Sequence, residues 1–241
     1  MIEIVTHCYA EELPQYASML RAHLSSFVLH PPKEELEVVV ATTLTDLKTI
    51  DVVTYFEKNT TLNVVLLLLE PSYLWRRAIG RNLVAMQTKA DAVWFCDADY
   101  LFGCGCIDKA MEGWRSLGCP SLTWPRSTQI HATHEMGDEY WRNHIEAAGI
   151  IEAPPQEHFV HHKLRKAIGG VQLASREYLK EFGYLNNTNW TKPVNCPFPD
   201  TMDDVAFRRQ CEARGGLKGP FHTENLFRLR HSLVGYGSKK F

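Results

Sequence analysis

Two carboxylates one residue apart, Asp97 and Asp99, stand at the end of the apolar run Ala92-Val93-Trp94-Phe95-Cys96. Such a run, rich in β-branched and aromatic residues, reads as a buried strand, and the C-terminal ends of strands are where open α/β sheets bind ligands. Side chains at i and i+2 of an extended chain point the same way, so the two acids can share one hard divalent cation that bridges to a diphosphate. The alternative is a surface turn with solvated aspartates. Position favours the metal, because unpaired charge next to a buried strand is costly unless a cation or hydrogen-bond donors compensate it.

The elements needed to present these acids are present. Ile2 to Tyr9, Glu37 to Thr42 and Asn63 to Leu69 read as strands, Ala92 to Cys96 as a fourth, and Glu11 to Val28 and Tyr73 to Thr88 carry apolar residues at helical spacing. Strand, helix, strand, strand, helix, strand in this order predicts an α/β chain with a mostly parallel central sheet flanked by helices. With 241 residues, 45% hydrophobic and 22% charged, the chain can bury one large core. A net charge of -2 offers no general basic field for nucleic acid, so no nucleic-acid partner is expected. The seven cysteines lack paired C-x-x-C spacing and read as reduced, mostly buried thiols. Met1-Ile2-Glu3-Ile4-Val5 begins a strand rather than a basic leader, and Val64 to Leu69 is too short to span a bilayer; a cytoplasmic protein without a transmembrane segment is the expectation.

Four further stretches bear on the acidic pair. Arg76-Arg77-Ala78-Ile79-Gly80-Arg81-Asn82 offers guanidinium groups that bind phosphate bidentately, or else a solvated helix face. Ala167 to Asn186 opens with Gly169-Gly170, which lets a sugar approach the backbone closely or marks a tight turn. Pro199-Asp200-Thr201-Met202-Asp203-Asp204 begins a helix that its acids can cap. Phe227-Arg228-Leu229-Arg230-His231-Ser232 ends near a histidine. In this order, over most of the chain except 126–166, the motifs resemble the nucleotide-sugar glycosyltransferases of the GT-A fold. They are nearest to the inverting family 2 and, toward the C-terminus, to β-1,4-galactosyltransferases.

That resemblance implies a single Rossmann-like GT-A domain over residues 1–241. Residues 1–103 form its nucleotide-binding half, 104–241 its acceptor-binding and catalytic half, and 126–166 a variable excursion. It implies donor contacts from Thr6, His7, Thr42, Arg77, Arg81, Asp97 and Gly170, and metal contacts from Asp99 and His231 with Asp97 assisting. His222 competes with His231. An imidazole beside a carboxylate favours Mn²⁺, with Mg²⁺ a weaker substitute. Asp204 matches the family's catalytic base, and Asp203 the neighbouring acid, usually glutamate there, that orients the acceptor hydroxyl. The second strand departs from the family: Thr42 and Thr43 stand where many members have an aspartate pair that reads the base.

The implied reaction is an in-line displacement from a nucleoside diphosphate sugar, most readily a UDP-sugar, to a hydroxyl of a glycan or other acceptor, with inversion at the anomeric carbon. A metal would act as Lewis acid on the departing diphosphate and Asp204 as general base. The six histidines of 126–166 are expected in an acceptor-binding excursion rather than a second metal site, with a short helix at Met136 to Ala148 ended by Ala153-Pro154-Pro155. The C-terminal Gly235 to Phe241 is expected to order over bound donor. A haloacid-dehalogenase-type phosphatase would need its acidic strand first in the sheet, which this chain lacks. A non-catalytic carbohydrate-binding protein of the same fold stays open.

Overall fold

The computed structural model describes residues 1–11, 13–185, 189–195 and 202–232. In chain order it contains β1 (Ile2–His7), α1 (Gln15–Leu29), β2 (Leu36–Thr43), α2 (Leu47–Asn59), β3 (Asn63–Leu69), the single turn α3 (Pro71–Leu74), α4 (Arg77–Gln87), β4 (Ala92–Cys96) and β5 (Tyr100–Phe102). There follow α5 (Cys106–Ser116), β6 (Leu122–Thr123), β7 (Ser127–His131), α6 (His134–Asn143), a 3-10 turn at Gln156–His158, β8 (Phe159–Lys163), β9 (Val171–Ser175), α7 (Arg176–Phe182), α8 (Asp203–Ala213) and β10 (Leu226–Arg228).

The main sheet runs β3-β2-β1-β4-β9-β6. Its first four strands are parallel, and β9 lies antiparallel between β4 and β6. Alternation along each strand sends side chains to two faces. Ile4, Val38 and Trp94 join Leu20, Phe27, Phe56 and Trp114 from α1, α2 and α5 on one face. Val5, Val39 and Phe95 join Ala78, Leu179 and Phe207 from α4, α7 and α8 on the other. Burying each large apolar side chain contributes about 1.5 to 3 kcal/mol, so the two layers fix the strand ends that carry the polar residues. This is the mixed α/β architecture expected from the sequence.

Three expectations need correction. Between β2 and β3 the chain forms α2, where no helix was expected. Asp46 starts it by accepting from the Thr49 backbone N–H through Oδ1 at 3.2 Å. The predicted helix Tyr73 to Thr88 is instead α3 and α4, separated at Trp75-Arg76, because Arg76 leaves helical geometry at ψ 84°. Within the excursion 126–166, β7 and β8 form the outer half of a second sheet, β5-β10-β7-β8, which the sequence reading did not address. Its helix α6 stops at Asn143, well before the prolines, with the His144 N–H closing on the Trp141 carbonyl.

Contacts from α1 anchor the second sheet to the first. The His23 ring nitrogen Nδ1 donates to the Tyr100 carbonyl at 2.6 Å, and the Phe102 N–H donates to Ser26 Oγ at 3.1 Å. The Leu229 N–H in turn donates to the Asp99 carbonyl at 2.8 Å. The acidic turn is thus tied to both sheets.

Candidate functional site

The ends of β1, β2 and β4 lie along one edge of the main sheet, and β9 enters from the same edge, with Val171 opposite Cys96. Asp97 and Asp99 follow β4 there, and Gly169-Gly170 precede β9 above them. A side-chain carbon on Gly170 would sit 3.0 Å from Asp97 Oδ2 and 2.5 Å from Tyr100 Cε2; one on Gly169 would sit 3.6 to 3.8 Å from the Asp204 side chain. This two-glycine stretch therefore separates the β4 acids from the acid of α8. At Gly170 any side chain would have to displace the Tyr100 ring, whereas at Gly169 a methyl would meet Asp204 at ordinary contact distance.

Arg81 ties the two sides together from beneath. It is fully buried. Its Nη1 donates to the Tyr184 hydroxyl at 2.6 Å, its Nη2 donates to the Gly169 carbonyl at 3.0 Å, and Nη2 lies 3.6 Å from Asp97 Oδ1. Tyr184 passes the link on: its hydroxyl donates to Gln172 Oε1 at 2.8 Å, and Gln172 Nε2 donates to the Asp204 carbonyl at 3.0 Å. Burial would lower the Arg81 pKa, yet Tyr184, Asp203 and Asp97 outweigh it and raise it, so the guanidinium stays charged.

Arg77 reaches Asp97 directly, Nη1 to Oδ1 at 3.1 Å. Burial alone would raise the Asp97 carboxyl, but Arg77, Arg81, Arg228 and His231 together hold it below its usual range. Asp99 is more enclosed, 6% exposed, and accepts from Arg228 Nε at 2.8 Å through Oδ2. The structure brings His231 to this acid, Nε2 to Oδ2 at 4.0 Å. His222, the competing residue, is exposed beside Lys109 and Pro220 on another face. Asp99 keeps Oδ1 buried without a hydrogen-bond partner, and His231 likewise keeps Nδ1. These are the atoms a cation would have to use, but the imidazole nitrogen that faces Asp99 is Nε2, and among the described residues no three His, Cys, Asp or Glu side chains gather around one point.

The segment carrying His231 is held by α6. The Ser232 N–H donates to Asp138 Oδ1 at 2.9 Å, His134 Nδ1 meets the His231 carbonyl at 3.0 Å, and Arg230 Nη1 donates to the Ala132 carbonyl at 3.1 Å. Gly137 is required at the contact, since any side chain there would run into the Arg230 carbonyl.

The remaining expected residues are divided. His7 ends β1 with both ring nitrogens buried and without a hydrogen-bond partner. Burial first, then Arg81 and Arg77, push it well below its ordinary pKa, so it is neutral. Gly80 makes room for it, since a side chain there would strike His7 Nε2. Thr6 is fully buried within β1. Thr42 is also fully buried and donates to Asp46 Oδ2 at 3.2 Å, in a ring that includes the Ala10 N–H at 2.6 Å. That ring ties Thr42 to the cap of α2. Asp203 is fully buried, its charge acting on Arg81, whereas Asp204 is partly exposed at the first turn of α8. Asp200, Thr201 and the stretch 235–241 lie outside the described residues.

Sequence reasoning did not single out Arg228 or the Tyr184-Gln172 relay. Arg228 lay inside a quoted motif, but its pairing with Asp99 depends on β5 meeting β10. No local spacing signals that contact.

No protein-family model matches this sequence, and no curated protein matches it either. Solved structures do. Staphylococcus aureus TarS 1-349 in complex with UDP-GlcNAc superposes with a TM-score of 0.63 at 12% identity, covering 100% of this chain and 61% of that one. The UDP complex of the same TarS segment gives 0.59 at 13% identity, covering 94% and 59%. A longer S. aureus TarS structure gives 0.60 at 12% identity, covering 94% of this chain and 36% of its own. The chain thus spans about three fifths or less of these neighbours, and what it shares with them is the GT-A glycosyltransferase fold.

Proposed function

We propose that this chain is an inverting, metal-dependent glycosyltransferase that moves a sugar from a nucleoside diphosphate sugar, most readily a UDP-sugar, to an acceptor hydroxyl. The observation that carries this reading is the Gly169-Gly170 stretch, with Asp97 on one side, Asp204 on the other and Arg81 bonded beneath. The UDP and UDP-GlcNAc complexes of the TarS neighbours support a donor of this class.

In this reading Arg77, partly exposed and paired with Asp97, is the cation that meets the diphosphate, since Arg81 is committed inside the protein. His7, neutral and with open ring nitrogens, edges the nucleotide pocket. Asp99 and His231 would hold Mn²⁺, with Mg²⁺ a weaker substitute and Asp97 nearby. Such an ion, when bound, stabilises charge on the leaving diphosphate. Asp204 takes the acceptor proton, a role worth about 10² to 10⁴ in rate for a placed general base. Asp203 holds the Arg81 charge and so positions Asp204 through the helix they share.

The Arg228 guanidinium on Asp99 Oδ2 favours a second reading, a cleft that binds nucleotide sugar without transferring it. Nucleoside diphosphate release from candidate UDP-sugars with and without Mn²⁺ separates the two. Asp204→Asn should lose transfer by at least 100-fold while UDP binding, followed by calorimetry, survives. Full transfer by that variant would remove the base assignment; UDP binding with no turnover by the unaltered protein and any donor would favour the binder.

A further inference from the structure

The acid expected to hold a cation is already paired. The Asp99 side chain is nearly closed off, 7% exposed, and its charge is met by Arg228, Nε to Oδ2 at 2.8 Å, with His231 Nε2 at 4.0 Å from the same oxygen. The arginine is held less firmly than the acid. Its side chain is 41% exposed, and among the described residues the Nε bond to Asp99 is the one hydrogen bond its guanidinium makes. Arg81 is the contrast, fully buried with both Nη groups bonded. Arg228 stands on β10 opposite Tyr100 of β5, its guanidinium carbon 5.4 Å from the centre of that ring. From there it lines a cavity of about 450 Å³ whose wall also includes Thr128, His134, Leu164 and His231.

A buried carboxylate stripped of its partner is strongly unfavourable, so Asp99 needs a positive charge beside it at all times. A doubly charged ion added next to the guanidinium would be repelled by it. Arg228 and a divalent cation are therefore alternatives at this acid. A diphosphate offers the guanidinium a second partner, because its oxygens match the planar fork bidentately and the two Nη groups are unspent.

We infer, building on the transferase reading, that Arg228 is a latch on Asp99: it stands where the divalent cation would bind, and an arriving diphosphate draws it off the acid and opens Asp99 to the cation. Cation and nucleotide are thereby coupled through one side chain, which positions and does not react.

The test sets Mn²⁺ binding against UDP binding in the full chain. Free Mn²⁺ is followed by its electron paramagnetic resonance signal without nucleotide, and UDP by calorimetry in EDTA. Arg228→Met should bind Mn²⁺ about tenfold more tightly than the original, since the competing charge is gone, and UDP about tenfold more weakly, since one charge-assisted contact is lost. Arg228→Gln should move both affinities in the same directions, and gives the same comparison where Arg228→Met folds poorly. Arg228→Lys should keep both near the original. A merely structural role for Arg228 would weaken the two together. Asp99→Asn, alone or combined with Arg228→Met, should abolish Mn²⁺ uptake. Mn²⁺ affinity that is unchanged or lower in both neutral variants, Mn²⁺ uptake that survives Asp99→Asn, or UDP affinity that does not depend on Arg228 overturns the latch. Failure of every protein to take up Mn²⁺ also overturns it, while UDP binding in the same samples leaves the nucleotide reading in place. Absence of UDP binding from all of them would remove the transferase reading and, with it, the diphosphate as the releasing group.

Discussion

Glu3 gives the sharpest quantitative prediction. It sits in β1, 4% exposed, directly opposite Glu37 of β2 in the parallel register. Burial raises its pKa, the Thr88 hydroxyl opposes that, and the Glu37 charge adds to it, so the carboxyl rises from 4.5 to about 7. In the unfolded chain it titrates near its ordinary value. Between those two pH values the folded protein binds the proton more strongly than the unfolded one, so this group's contribution is fully present below about 4.5 and is lost as pH rises through about 7. At about 1.36 kcal/mol per pH unit, the separation corresponds to up to about 3 kcal/mol. Glu3→Gln fixes the neutral form. At pH 8 the variant should be the more stable by up to about 3 kcal/mol, while at pH 4.5 the two proteins should differ little. Urea melts followed by tryptophan fluorescence at the two pH values, at constant ionic strength, measure this; for a chain of this size the gain at pH 8 also raises Tm by roughly 6 to 12 °C. A variant that is no more stable at pH 8, or equally stabilised at both pH values, refutes the reasoning.

Two glycine substitutions test the site. Gly170→Ala places a methyl against Tyr100 and Asp97 Oδ2, at a buried ring that cannot swing aside. It should cost about 1 to 3 kcal/mol, seen as a lower Tm, and weaken UDP binding with far-UV circular dichroism unchanged. Undiminished UDP affinity would show that this gap does not face the donor. Gly137→Ala pushes α6 off the Arg230 carbonyl and should displace His231. Transfer should fall more steeply than UDP affinity, and an unchanged ratio of the two would separate α6 from the site.

The strands of the main sheet were legible because a strand covered on both faces is a continuous apolar run, as in Ala92 to Cys96. Helix α2 was not, because its buried set, Val52, Val53 and Phe56 with Thr49, is small and its face otherwise polar; the usable signal was Asp46 three residues before Thr49, a capping spacing. The break at Trp75-Arg76 hid inside one apolar periodicity that continued across it. Asp97 and Asp99 stood out by position, and the same position brought them beside Gly170 and His231. The joining of β10 to the second sheet, and with it the contacts of Arg228 and Gly137, depended on pairings between residues far apart in the chain, as between Tyr100 and Arg228. Nothing within a short window encodes those. The surroundings of Thr42 were hidden for the related reason that a buried hydroxyl and an open one look alike in sequence; only the fold shows Asp46 folded back onto it.

The bracing of the His231 strand by α6 bears on how the protein can be trimmed or varied. The stretch from Ser127 to Lys163 looks like a surface elaboration, yet it supplies two strands of the smaller sheet and the helix pressed against Arg230. Shortening this stretch would loosen the far wall of the cleft before it touched the main core. The long connection 144–155 shares in this bracing, since Arg21 donates to the Gly149 carbonyl at 3.1 Å, the Ile151 N–H donates to Ser25 Oγ at 3.0 Å and the Ile151 side chain is buried against α1, so added length there should also be felt.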